Sequence, residues 1–337
     1  MKLKIHTFTL PLVYPFKISH DTRTTQDTVI VELEYKGIKG YGEATVTPYY
    51  NISLDSIKDQ LSEIEKNLPK DILYHPKDFW NKMNPLIERK NNFALCALDV
   101  ALWDLWGKMH GKKLYEIWEL PINKNILTNY TIGIDSIEKM KQKVKENPFP
   151  IYKIKLGTDK DIEIIEELRK ITDSVFRVDP NTAWTADQTI AYAPILKDLG
   201  VEFIEQPLKP DDWEGMKKLK AQCELPIIAD EACQTLEDIK ICAEYFDGVN
   251  IKLMKSGGIT PAINMIYEAR NLGLKIMLGC MTESTIGCSA IAQLLPLLDY
   301  VDVDGCILVE DKISKGIKIE QGKIIFADIN GIGAKLL

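Results

Sequence analysis

The chain has 337 residues, 45% hydrophobic and 27% charged, with a formal net charge of −7, an ordinary globular composition with room for about two domains. An acidic chain of this kind lacks the basic surface that nucleic acid and anionic membranes need, and no run approaches the ~18 consecutive apolar residues of a spanning helix. Seven cysteines, at 96, 223, 233, 242, 280, 288 and 306, contain no CxxC pair, which fits free thiols in a reducing cytoplasm rather than a disulfide framework.

The N-terminus, MKLKIHTFTLPLVYPF, alternates and carries prolines, so it reads as a strand and not as a signal segment. Residues 1 to 120 have the texture of an α+β unit. Alternation over 2–10 and 28–35 predicts strands, with Gly37 and Gly40 punctuating a hairpin. Helical patterns follow near 53–67, 76–83 and 91–109, the last strongly apolar and stopping at glycines.

Beyond residue 121 short β-rich runs alternate with helical patterns. The runs are Leu127–Ile132, Ile151–Leu156, Val175–Asp179, Val201–Glu205, Pro226–Asp230, Gly248–Lys252, Leu274–Leu278 and Tyr300–Val303. Strand then helix, repeated, implies parallel pairing through crossovers. Eight repeats over 121–310 point to a closed barrel, with an open doubly wound sheet as the competing architecture. Residues 311–337 include GIKIEQGKIIFADINGIG, a hairpin with no helix after it, expected to return to the N-terminal unit.

Charged residues stand at the carboxyl ends of these runs: Lys153 and Lys155, Asp179, Glu205, Asp230, Lys252, and Asp302 with Asp304. From Lys155 to Lys252 they recur at intervals of 24, 26, 25 and 22 residues. Strand ends one βα unit apart lie side by side around a barrel mouth, so these groups should converge on one pocket. Three carboxylates gathered there would repel one another, and a hard cation relieves that. With no His or Cys among them, Mg²⁺ fits better than Zn²⁺, and Mn²⁺ is possible.

Lys153 and Lys155 are two apart on a strand and share a face. Two close ammonium groups beside a cation should disfavour joint ionisation, leaving one able to act as a base. Lys252 comes from the strand four places on, roughly across the barrel, so a substrate held between would meet a lysine on each face. The four histidines, at 6, 20, 75 and 110, fall outside the barrel runs, which argues against histidine general-base chemistry. The SGG at 256–258 reads as a tight turn and not as a phosphate cradle.

Taken together these residues resemble the enolase superfamily, in its muconate-lactonizing-enzyme subgroup. The resemblance implies a modified TIM barrel, (β/α)₇β, with an N-terminal α+β capping domain completed by the C-terminal tail. Lys153-Ile154-Lys155 is similar to the family's KxK, with Lys155 as an acid/base and Lys153 assisting. Asp179, Glu205 and Asp230 match its ligands for one Mg²⁺ per subunit, and Lys252 its second acid/base. Asp302-Val303-Asp304 is similar to the DxD with which dipeptide epimerases bind the substrate's ammonium group. FKISHDTRTTQD resembles the family's mobile capping loop, whose arginine, here Arg23, meets a side-chain carboxylate in alanyl-glutamate epimerases. Glu283, in GCMTES, is a further candidate pocket residue.

The implied reaction is inversion at the α-carbon of a dipeptide's C-terminal residue by two-base proton transfer through an enediolate. L-Ala-D/L-Glu is the expected substrate, serving murein peptide recycling, with hydrophobic or aromatic L-Ala-D/L-Xaa dipeptides beside it. Relatives of this kind are commonly homo-oligomers. A muconate cycloisomerase or o-succinylbenzoate synthase-type lyase is the alternative within the superfamily, and a non-catalytic binding barrel the alternative outside it.

Overall fold

The computed structural model describes residues 1–19, 21–69, 74–86, 91–122 and 126–337; His20 lies outside them. Alternation at the N-terminus builds a longer hairpin than the sequence suggests. Strands β1 (Lys2–Ile18) and β2 (Asp21–Tyr35) pair antiparallel, with a register shift between Pro11 and Phe16. Pro11 and Pro15 have no N–H to give the ladder, so the slip falls there. The described residues of the FKISHDTRTTQD segment are therefore paired at the far end of these two strands: Phe16, Lys17 and Ile18 face Arg23, Thr22 and Asp21. Threonine suits a strand, and the paired residues Phe16, Ile18, Asp21 and Arg23 reach the cavity at the barrel mouth. Lys36 and Gly37, both with positive φ, make the two-residue turn into β3 (Ile38–Thr45).

The longer cap helices among the described residues are α1 (Leu54–Glu65), capped by Ser53; α2 (Pro76–Met83); and α3 (Asn92–Met109), capped by Asn91, with the short helix Leu114–Ile117 after them. α3 is apolar on all sides because it is buried on all sides, between the cap sheet and the barrel. A Cβ at Gly40 or Gly42 would fall about 2 Å from a carbonyl oxygen of α3, so glycine lets the helix lie directly on β3.

The eight expected barrel strands are present: β4 (Tyr130–Ile132), β5 (Ile151–Lys155), β6 (Val175–Asp179), β7 (Val201–Glu205), β8 (Ile227–Ala229), β9 (Gly248–Lys252), β10 (Lys275–Gly279) and β11 (Tyr300–Asp302). They pair in parallel in sequence order. A parallel bridge between Thr128 and Val301 joins the two ends, and the Val303 N–H donates to the Thr128 hydroxyl at 2.9 Å. That contact separates a closing barrel from an open sheet. Each of the seven connections carries a helix, and after β11 only the short helix Gly305–Leu308 follows. The tail then turns back: Ser314–Lys315 pairs with Lys335–Leu336. Asp104 of α3 accepts from Tyr41 N–H at 2.8 Å and Ile332 N–H at 2.9 Å, tying helix, cap sheet and tail to one carboxylate. Among the described residues no helix is long and apolar enough to cross a membrane.

Candidate active site

The carboxyl ends of β5 to β9 turn their charged side chains into the barrel mouth. Asp179, Glu205 and Asp230 are buried, and oxygens from the three lie within 4.8 Å of one another. Lys155 Nζ stands 2.7 Å from Asp179 Oδ2 and Lys252 Nζ 2.8 Å from Asp230 Oδ2, so the two lysines bracket the acid row from its two ends. Lys153 Nζ sits deeper, 2.8 Å from Glu205 Oε2 and 3.2 Å from both Asp179 Oδ2 and Asp302 Oδ2.

Burial opposes every one of these charges, and the neighbours decide each outcome. For Lys153, burial pulls the ammonium down, but Glu205, Asp179 and Asp302 raise it well above its ordinary range. For Lys252 the same contest is won by Asp230, again upward. At Lys153 the facing carboxylates thus outweigh any repulsion from a neighbouring ammonium. Asp179 and Asp230 are held low against burial, the first by Lys155 and Lys153, the second by Lys252 and Lys255. Glu205, in the middle, is left raised by burial and by the two flanking aspartates. Its Oε2, though near Lys153, makes no aligned hydrogen bond. Three buried carboxylates with an orphaned oxygen in the central one fit a hard divalent cation.

At the eighth strand Asp302 and Asp304 are buried, not solvated. Asp302 accepts from Asn129 Nδ2 at 2.9 Å and stays low through Lys153 despite burial. Burial and the Asp302 charge raise Asp304 well above the carboxylate range. Both line the cavity, a space of about 840 Å³ partly open to solvent, together with Lys153, Lys155, Lys252 and Arg23. Arg23 reaches this mouth from the hairpin end, but its Nε donates to Asp21 and its Nη1 to Gln26 Oε1 at 2.8 Å. Glu283 does not line the cavity: its Oε1 accepts from Met281 N–H at 3.0 Å, behind the wall that Met281 and Thr282 form.

Several residues of the site escaped the sequence reading. Lys255 is fully buried and holds Asp230 Oδ1 at 2.6 Å; its signal was a second lysine inside the apolar run NIKLMK. Asn250 Nδ2 donates to Glu205 Oε1 at 2.8 Å, and a single amide within a strand run was the clue. Glu231, next to Asp230, is buried beside the cavity and pushed up to about 8 by burial and then Asp230. Tyr49 and Tyr50 of the cap also line the cavity, and an aromatic pair in a loop carries no signal that separates wall from core.

A barrel with an acid row between two lysines, closed over by an α+β cap, defines a metal-assisted proton-transfer enzyme. Residues 2–118 match the mandelate racemase / muconate lactonizing enzyme N-terminal domain, and residues 135–337 the enolase C-terminal domain-like family. The chain belongs to this family. It is 50% identical to the L-Ala-D/L-amino acid epimerase of a Maribacter species, over 100% of this chain and 99% of that one. Among solved structures it resembles the substrate-liganded L-Ala-D/L-Glu epimerase of Bacillus subtilis (29% identity, TM-score 0.92, 99% of each chain). It also resembles the dipeptide epimerase of Cytophaga hutchinsonii with Mg and D-Ala-L-Val (28% identity, TM-score 0.93, 99% of this chain and 95% of that one).

Proposed function

We propose that this enzyme is a metal-dependent dipeptide epimerase, an isomerase that inverts the α-carbon of the dipeptide's C-terminal residue. The observation that carries the reading is the bracketed acid row, with Lys155 at the Asp179 end and Lys252 at the Asp230 end. Asp179, Glu205 and Asp230 would hold the Mg²⁺. The ion supplies positive charge that takes up the acids' charge, easing proton loss from the flanking lysines, and stabilises charge building on the substrate carboxylate. One of Lys155 and Lys252 removes the α-proton, the other returns a proton to the opposite face, and direction decides which. Lys153, held protonated, adds fixed positive charge beneath the enediolate.

Asp302 and Asp304 receive the α-ammonium of the first residue. Asp304 is raised by burial and the Asp302 charge, and an arriving ammonium offsets both, so charge and partner enter together. A cycloisomerase or synthase substrate brings no such group, which favours the epimerase over the lyase.

For the second side chain we propose a broad, largely uncharged range of L-Ala-D/L-Xaa dipeptides. Arg23 is already paired with Asp21, its strand partner is Phe16, and the cavity has further apolar lining in Ile18, Met281 and Leu308. L-Ala-D/L-Glu remains the second reading, on the strength of Arg23 at the mouth. Cytoplasmic peptide recycling is the setting we propose, consistent with seven unpaired thiols. We also propose the division into cap (1–120), barrel (121–310) and returning tail (311–337).

The test is deuterium incorporation at the α-carbon in D₂O with a dipeptide panel. Lys155→Ala and Lys252→Ala should each lose epimerisation by at least about a thousandfold, within the usual worth of a positioned acid or base plus a lost fixed charge. Each should retain exchange from one epimer only. Full turnover in both variants would end the two-base reading.

A further inference from the structure

The cap and barrel each give one wall of the substrate cavity, and one buried carboxylate joins those walls. Glu43 lies near the end of β3, and the chain beyond it supplies Thr47, Tyr49 and Tyr50 to the cavity. β10 ends at Gly279 and then supplies Cys280, Met281 and Thr282 to the same cavity from the barrel, before Ser284 caps the helix Thr285–Ala292. Glu43 Oε1 accepts from the Ser284 N–H at 3.0 Å and the Thr28 hydroxyl at 2.8 Å. Its Oε2 accepts from the Ser284 hydroxyl and from the Gly287 N–H at 3.1 Å. The carboxylate is 1% exposed.

These partners are dipoles; among the described residues no lysine or arginine pairs with it. A helix N-terminus does favour an anion. Yet burying an acid without a countercharge is a costly way to hold two parts of a protein together, and apolar packing would hold them at less cost. What the carboxylate adds is direction: four donors fix both its oxygens, and so fix β3 against the β10 loop. The same loop is held at a second point, where the Met281 carbonyl lies so near the Gly305 backbone that a Cβ there would fall 2.2 Å from it.

We propose that Glu43 is a positioning residue for the substrate: through Ser284 and Gly287 it sets the span between the Thr47–Tyr50 wall and the Met281–Thr282 wall. The inference rests on the epimerase reading for its kinetic expression but not for its structural one. Glu43 touches neither the acid row nor the lysines, so its loss should loosen substrate binding and spare the proton transfer.

The experiment compares wild type, Glu43→Gln and Ser284→Ala as full-length, Mg²⁺-loaded enzymes. Glu43→Gln keeps the shape but turns a donor toward donors. KM for a preferred L-Ala dipeptide should rise about tenfold, with kcat within about threefold, the split that loss of uniform binding produces. Amide exchange should quicken together in the peptides covering residues 46–52 and 280–290. An unchanged KM in a folded Glu43→Gln, or a fall in kcat at constant KM, would overturn the proposal. Should Glu43→Gln not fold, Ser284→Ala removes one donor to Glu43, together with the cap its hydroxyl gives the Ile286 N–H: a rise in KM of about threefold with exchange quickened in both 46–52 and 280–290 supports the clasp, and an unchanged KM, or exchange quickened in 280–290 alone, refutes it. If wild type epimerises no dipeptide, the epimerase reading has failed. Exchange then judges the clasp by itself, and equal rates in variant and wild type refute it.

Discussion

Asp21 and Arg23 stand two apart on one strand, and that spacing puts an acid and a base on one face. Arg23 Nε donates to Asp21 and Nη1 to Gln26, so its charge is largely taken up within the protein. A substrate carboxylate arriving at this mouth would compete with Asp21 and be repelled by it, whereas an uncharged side chain meets Phe16 and Ile18 without that contest. Asp21→Asn should therefore free the guanidinium. We expect the ratio of kcat/KM for L-Ala-L-Glu over L-Ala-L-Leu to rise about tenfold, the worth of one charge pair at a partly exposed site. A constant ratio would show that Arg23 does not meet the second side chain. This pair also marks a limit of reading residues singly. The arginine was legible as a candidate, but the acid that changes its meaning was not, because nothing in the sequence says which neighbour a long side chain will choose.

At the scale of elements, the cap is fastened to the barrel through helix starts. Glu43 serves the helix after β10, and Asp99 of α3 serves the longer of the two helices between β9 and β10. Asp99 accepts from the Thr260 N–H at 2.9 Å and the Thr260 hydroxyl at 2.7 Å, at the head of the helix Ile259–Asn271. Burial pushes the Asp99 carboxyl up from 3.8 to about 7, against the pull of Thr260. A carboxyl raised on folding holds its proton more tightly in the native state. Its contribution to stability is therefore complete below about pH 4, declines as pH rises, and is gone above about 7. The difference in melting temperature between wild type and Asp99→Asn should fall across that window and level off above it. A difference flat from pH 4 to 9 would mean that Asp99 is ionised in the fold. Neither fastening was legible in advance, since Asp99 sits in the apolar pattern of α3 as a lone polar residue and Glu43 in a strand. By contrast the barrel runs were legible nearly residue by residue, because a strand buried on both faces leaves a mostly apolar, β-branched stretch, broken only singly by Lys153, Arg177, Glu202 or Asn250, that ends at a charged residue. The first two strands extend beyond 2–10 and 28–35 for the converse reason: around Thr22–Thr25 pairing, not burial, holds the chain extended, and pairing leaves no apolar pattern to read.

For the whole molecule, the acid row sets stability against function. The chain's spacing alone revealed that Asp179, Glu205 and Asp230 would meet, because the βα repeat fixes where strand ends fall. Spacing could not reveal how the protein carries three buried charges. Asp179 has Lys155 and Lys153, and Asp230 has Lys252 and Lys255. Glu205 has Lys153 and Asn250, yet is left raised and with an orphaned oxygen. The middle acid is thus the costliest to bury and the one a cation helps most. Two opposite effects should follow from Glu205→Gln. In the presence of a chelator the variant should melt at or above wild type, since a buried charge has gone and the Asn250 contact can be kept. With millimolar Mg²⁺ wild type should gain several degrees, as binding to the native state contributes about 2.7 kcal/mol at a hundredfold excess over Kd. The variant should gain much less. The order of the two melting temperatures then reverses between chelator and Mg²⁺. A variant that melts below wild type in both conditions by the same margin would place Glu205 in the scaffold and not in the metal site.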